Sequence, residues 1–342
     1  MHLNIVADLR VPSSDLTLKG DFIRLLKLLA RANGVRLLIN DENEVRGQLK
    51  NIQREVRNKS FRAYQFCQRL RGDLNNNVIN LGELCKEQSL KLSDFADVIL
   101  WIENDTVEDP GDANRTLLSE LFNSQVFEEY EGFGDHTNTI PEQVKDSLGK
   151  FVRTSRHIAF IDPYLFSREH NDLVDGYADG IAPVIDAWYE HSTLAKLEGW
   201  KPFVHLIADH KKSMPGTTLS DWAVKYEKLI SAKLGTSIQF DLKTYVYDPQ
   251  QRGTRERPLA MQERFIYSSG RCVKVGHNLS ALGALFAQNR GEREERVKLG
   301  EHDRVHFEEV KAVVSVAGRN VGLSTLLSSR PGALENGGTR NR

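Results

Sequence analysis

Cysteine is nearly absent from this chain: the three residues among 342, Cys67, Cys85 and Cys272, lie too far apart for a CxxC metal knuckle or a disulfide framework. They read as reduced thiols packed as small apolar groups. Long apolar runs are lacking too, none approaching the ~20 residues of a membrane span. The opening residues Met1 to Asp8 hold neither a basic leader nor an extended apolar segment, which argues against a secretory signal. Excess charge is a third absence, with 46 Lys and Arg against 47 Asp and Glu. The expectation is a cytoplasmic protein without a membrane span.

What is present is ordinary globular material, 40% hydrophobic and 27% charged, long enough for two domains with cores of their own. The near-zero net charge conceals a division along the chain. Residues 1 to 71 carry 14 Lys and Arg against 7 Asp and Glu, whereas residues 72 to 150 carry 5 against 17. A chain polarised in this way can pair its own halves, or offer one face to a polyanion and another to a basic partner.

Residues 1–135 read as a parallel α/β domain. An apolar strand over 2–7 ends at Asp8, Phe22, Leu25, Leu26 and Leu29 carry helical spacing, Gly34 stops that helix, and Val35 to Ile39 form a second strand. Asn40 and Asp41 are suited to cap one long helix from about Glu42 to Arg71, and the strand-helix-strand-helix order implies a parallel sheet. Along that helix Arg46, Lys50, Arg54 and Arg57 make a basic stripe beside the apolar Val45, Leu49, Ile52 and Val56. Such a stripe can track the phosphates of a nucleic acid. It can equally be a solvated face, or lie against the acidic 103–131 region of the same chain.

A further apolar element runs from Leu92 to Ile102. Gly132, Gly134, Asn138 and Pro141 then interrupt the pattern, and the domain boundary is expected between about Glu131 and Lys150. Residues 150–325 read as a mixed α/β domain, with strands at 157–161, 203–208 and 237–247 and helices around 181–191 and 220–234. From 328 to 342 the Gly, Pro, Asn and Arg composition is that of a flexible tail.

The second domain carries the most specific motifs. The apolar strand His157 to Ile161 turns sharply at Asp162-Pro163-Tyr164. A hundred residues on comes Gln262-Glu263-Arg264, two strands around Ser269-Gly270, and the turn Gly276-His277-Asn278-Leu279. Over roughly 150–290 these residues resemble the phospholipase-D-like module that ends MIT-domain proteins of the ESCRT membrane-scission system, and its bacterial relatives. The resemblance implies that 157–162 and 203–208 are adjacent parallel strands. It also implies a phosphodiester-binding site drawn from Asp162, Tyr164, Glu263, Arg264 and His277, with Arg264 as a bidentate phosphate clamp.

Departures from the family pattern bear on the chemistry. The His-Asp-Arg strand of the family stands here as Gln262-Glu263-Arg264. The covalent His-x-Lys machinery is missing, because His210-Lys211-Lys212 has Thr217 where an Asp is needed. Glu263 and Arg264, being neighbours on a strand, point to opposite faces, so one of them is expected to be structural. Asp162 has an alternative use as a turn carboxylate accepting backbone N–H groups.

The first domain weakly resembles PIN-like nucleases. That resemblance gathers Asp8, Glu44, Asp94 and Asp97 as catalytic carboxylates, Asp8 and Glu44 holding Mg²⁺ or Mn²⁺ at the carboxyl edge of the sheet. Asp41, Glu42 and Glu44 also suit a helix N-terminus, and Asp94 a helix cap. Three functions follow as expectations: a phosphodiester-recognition protein acting on nucleic acid, a metal-dependent nuclease, or a protein adaptor. The bacterial relatives implied by the resemblance occur in systems that confront phage, which would make this chain one component of a multi-protein antiviral defence system.

Overall fold

A computed structural model describes residues 3–7, 20–30, 35–72, 74, 78–101, 115–123, 127, 141–167, 174–209, 216–247, 264–268, 271–275, 279–286, 299–301, 313–316 and 319–322. Asp8, Glu263, His277, the 328–342 tail and most of the acidic 103–131 region lie outside the described residues. The chain is α/β and divides into two units, Met1–Gly134 and Asp135–Arg342.

The first unit is built on a five-stranded, wholly parallel sheet of β1 (Leu3–Ala7), β2 (Val35–Ile39), β3 (Val78–Asn80), β4 (Val98–Trp101) and β5 (Arg115–Leu117), in the order β3-β2-β1-β4-β5. Strand β2, Val-Arg-Leu-Leu-Ile, is buried throughout, as a strand covered on both faces requires. Helix α1 (Gly20–Ala30) turns Phe22, Leu25, Leu26 and Leu29 into the core, where they meet Ile5, Leu37, Leu49 and Ile52. The strand order changes direction at β1, so a crevice is expected outside the carboxyl ends of β1 and β4.

The helix expected over 42–71 is two helices, α2 (Glu42–Val56) and α3 (Phe61–Gly72). The break is a hydrogen-bonded turn. The N–H groups of Lys59 and Ser60 both return to the Val56 carbonyl, at 3.0 and 2.8 Å, and the Ser60 hydroxyl then accepts from Ala63 N–H at 3.3 Å to start α3. Asn58 and Ser60 favour such local bonds over continued helix. At the other end of α2 the expected cap is present, Asp41 accepting from Asn43 N–H at 2.8 Å. Helices α4 (Gly82–Gln88) and α5 (Leu118–Leu121) complete the described part of this unit.

The second unit opens with α6 (Pro141–Val152), a stretch read from sequence partly as boundary. Pro141 is its first residue, where the missing N–H costs nothing. The eight-stranded sheet has a parallel centre, β6 (His157–Ile161), β7 (Phe203–Asp209) and β8 (Asp241–Tyr247), with His157↔Phe203 through Ile161↔Ile207 in register. Adjacent parallel strands at 157–161 and 203–208 were expected. Strand β9 (Arg264–Ser268) runs antiparallel to β6 and forms a hairpin with β10 (Arg271–Val275). Strands β11 (Leu299–Glu301), β12 (Val313–Val316) and β13 (Arg319–Gly322) extend the two margins.

Helices α7 (Val174–His191) and α8 (Leu219–Lys233) make the crossovers between the parallel strands, and α9 (Leu279–Phe286) follows β10. The Trp188 indole N–H donates to the Ser155 carbonyl at 2.7 Å, tying α7 to the start of β6. No helix among the described residues is long and apolar enough to cross a membrane.

Candidate functional site

Strand β6 is buried along its whole length and delivers Asp162 to the carboxyl edge of the second sheet. That residue is fully buried, at 0% exposure, so its charge must be met locally. One carboxylate oxygen accepts Tyr164 N–H at 2.9 Å, closing the turn over Pro163. The other accepts Leu279 N–H at the start of α9, at 3.3 Å, and faces Nε of Arg264 at 3.9 Å. The buried carboxylate thus meets a helix N-terminus and a guanidinium.

Register explains why Arg264 arrives at this point. Ile161 pairs with Phe265 across β6 and β9, so Asp162 and Arg264 are the next pair along and lie on one face. The guanidinium carbon sits 5.7 Å from the centre of the Tyr164 ring, with the Arg264 side chain 24% exposed. The buried Tyr177 phenol, which feels these groups, is pushed up chiefly by burial and next by Asp162, with Arg264 opposing. Of the five residues expected in this site, Asp162, Tyr164 and Arg264 are therefore together, while Glu263 and His277 lie outside the described residues. Asp162 is not placed as a phosphate ligand. Its lone pairs serve two backbone N–H groups, and its charge would repel an anion, so it holds Arg264 and α9 in place.

The approach of α9 depends on residues that carried no weight in the sequence. Gly176 and Gly180 on α7 face Gly283 and Leu279 on α9. A Cβ on Gly180 would overlap the Leu279 carbonyl oxygen, and one on Gly283 would overlap the Gly176 carbonyl oxygen. Glycine permits this backbone-to-backbone contact, and the contact puts Leu279 N–H within reach of Asp162. The signal was available as Gly176-x-x-x-Gly180, a spacing that places two glycines on one side of a helix.

In the first unit the carboxylates expected to cluster are divided between opposite edges of the parallel sheet. Glu44 stands in the first turn of α2, just after the carboxyl end of β2, exposed and accepting from Gln48 at 3.2 Å. Asp97 instead precedes β4, and its carboxylate accepts the N–H of Asn4, near the start of β1, at 2.7 Å. Asp94 accepts Lys91 N–H at 2.8 Å in the 3-10 turn before β4. A strand rising ~3.3 Å per residue separates that edge from the carboxyl edge by more than ~10 Å. Asp94 and Asp97 thus cannot share a metal ion with Glu44, and the described residues hold no group of three or more His, Cys, Asp or Glu able to bind one. Asp8, expected to hold Mg²⁺ or Mn²⁺ with Glu44, lies outside the described residues, and Asp94 and Asp97 do not join Glu44 in such a site.

The basic stripe on α2 keeps its expected exposure, since Arg46, Lys50, Arg54 and Arg57 are all exposed. Arg46 is engaged, its guanidinium paired with Glu42 and donating to the Arg71 carbonyl at 3.0 Å. Lys50, Arg54 and Arg57 have no carboxylate partner among the described residues. Comparison with protein-family models, with curated proteins and with solved structures gives no match to this chain.

Proposed function

We propose that this protein recognises the phosphodiester backbone of nucleic acid, with the second unit serving as a degenerate phospholipase-D-like binding module. The observation that carries the reading is the exposed row of Lys50 and Arg54 on α2 and Arg57 at its C-terminal cap, without a carboxylate partner among the described residues. Each step of three or four residues advances ~4.5–6 Å along a helix, so the three cations form a line rather than a point. A line of cations suits a polyanion better than a single small anion. In the second unit Arg264, held against a buried carboxylate beside an aromatic ring, has the bidentate donor geometry that phosphate takes.

The absent His-x-Lys chemistry favours binding over covalent hydrolysis in that unit. Following the resemblance to bacterial relatives, we assign the chain to nucleic-acid recognition within a multi-component antiviral system.

Titration of labelled single- and double-stranded DNA and RNA by fluorescence anisotropy, at several salt concentrations, tests the reading. Affinity should fall with salt at ~0.7–0.9 log units per log unit of salt for each phosphate neutralised. Lys50→Glu/Arg54→Glu/Arg57→Glu should abolish binding with the melting temperature retained, and Arg264→Ala should weaken it several-fold. Binding by the triple variant equal to that of the wild type would overturn it.

A further inference from the structure

The end of the α2–α3 hairpin carries a feature that backbone recognition leaves unused. Phe61, the first residue of α3, is 70% exposed. Its neighbours behave otherwise: Tyr64 and Phe66 pack against the core of the first unit, and Ala63, Cys67 and Leu70 are buried within it. Phe61 points away from that core, and Arg57, Lys59 and Arg62, all within four residues of it along the chain, are exposed as well. Glu55 is the one acidic residue between 45 and 72, and it lies 3.7 Å from Lys59. The turn is fixed by the Val56 carbonyl and the Ser60 cap described above, so the ring is presented on an ordered hairpin.

An exposed aromatic ring at the end of a line of cations matches unpaired nucleic acid. A duplex presents its base edges in the grooves and keeps the base faces stacked, whereas a single strand offers those faces to an aromatic side chain. Cations alone do not distinguish the two forms, since both present phosphates. Resting on the nucleic-acid reading above, we infer that the α2–α3 hairpin binds single-stranded nucleic acid, with Phe61 stacking on a base while Lys50, Arg54, Arg57 and Arg62 follow the backbone.

The test compares a labelled single-stranded DNA 20-mer, a hairpin duplex of the same composition and phosphatidylcholine–phosphatidylserine vesicles, using wild type, Phe61→Ala and Phe61→Trp. Phe61 lies outside the core, so all three should melt alike. The wild type should prefer the single strand. Loss of one stacked base should make Phe61→Ala about tenfold weaker on the single strand, with duplex affinity and the salt slope unchanged. Phe61→Trp should restore single-strand binding.

Equal single-strand affinity in wild type and Phe61→Ala would overturn the inference while leaving backbone recognition standing. Absence of wild-type binding to either nucleic acid at low salt would remove both. Phe61-dependent binding to the vesicles, or Phe61-dependent dimerisation on sizing with light scattering, without an effect on the single strand, would assign the ring to a membrane surface or to a second copy and overturn it.

Discussion

Nδ1 of His157 lies 3.0 Å from Nε2 of His205, and Nδ1 of His205 lies 3.3 Å from the Tyr245 hydroxyl. The three side chains form a row across β6, β7 and β8, with ring centres 5.3 and 5.7 Å apart. The row is satisfied when all three are neutral: Tyr245 donates to His205, and His205 donates to His157. Burial is the main force holding both histidines neutral; Arg156 and Lys243 add positive charge around His157, and Lys243 does so around His205, as would His157 if it took up a proton.

A pH dependence of stability follows. Burial lowers His157 from 6.5 to about 4 and His205 well below 6.5. Below pH 6.5 the unfolded chain takes up protons that the folded chain refuses, so stability is complete above that pH and falls as the pH drops. Each histidine contributes ~1.4 kcal/mol per pH unit, on the order of 3 kcal/mol for His157 by pH 4. Urea unfolding at pH 7.5, 6 and 5 should show this decline, with His157→Gln/His205→Gln less stable at pH 7.5 but much flatter across the range. An equal wild-type midpoint at pH 7.5 and 5 would remove the neutral-row account.

Glycines on two helices should respond to alanine in opposite directions. Gly180→Ala and Gly283→Ala put a methyl against backbone carbonyl oxygens that cannot move aside without separating α7 from α9, so each should cost ~1–3 kcal/mol or more. Gly47→Ala, on the exposed face in the interior of α2, meets no atom within 4 Å, and it should stabilise by ~0.5–1 kcal/mol. Thermal melts of the three variants decide the matter. Three destabilisations of similar size would mean that helix contact is not what distinguishes the positions.

The sequence made some elements plain and hid others for identifiable reasons. Strands β2, β6 and β7 were legible because each is an apolar run bounded by turn or polar residues. The break after Val56 was hidden because Val56 and Ala63 are seven residues apart, so apolar spacing continues in phase across the turn. Pro141 interrupts the apolar pattern in the sequence and is a helix start in the structure. The pairing of Gly180 with Leu279 was invisible because the partners are a hundred residues apart. Asp162 could be singled out from the Asp-Pro-Tyr turn, but its role as an anchor depends on Leu279 and Arg264, which local sequence does not connect to it.

Asp97 was misplaced for a different reason. Leu92 to Ile102 read as one apolar element, which left open the edge of the sheet to which the carboxylates belonged. In the structure β4 begins at Val98, after both of them, so Asp97 serves Asn4 rather than a reacting centre. Asp97→Ala, which leaves the Asn4 N–H without this acceptor, should cost ~1–3 kcal/mol, whereas Asp97→Asn retains an oxygen acceptor and should cost less. If the protein cleaves DNA or RNA with Mn²⁺, the rate in Asp94→Asn and Asp97→Asn should stay near the wild-type value. A loss of cleavage in Asp97→Asn at an unchanged melting temperature would return that carboxylate to the reacting site.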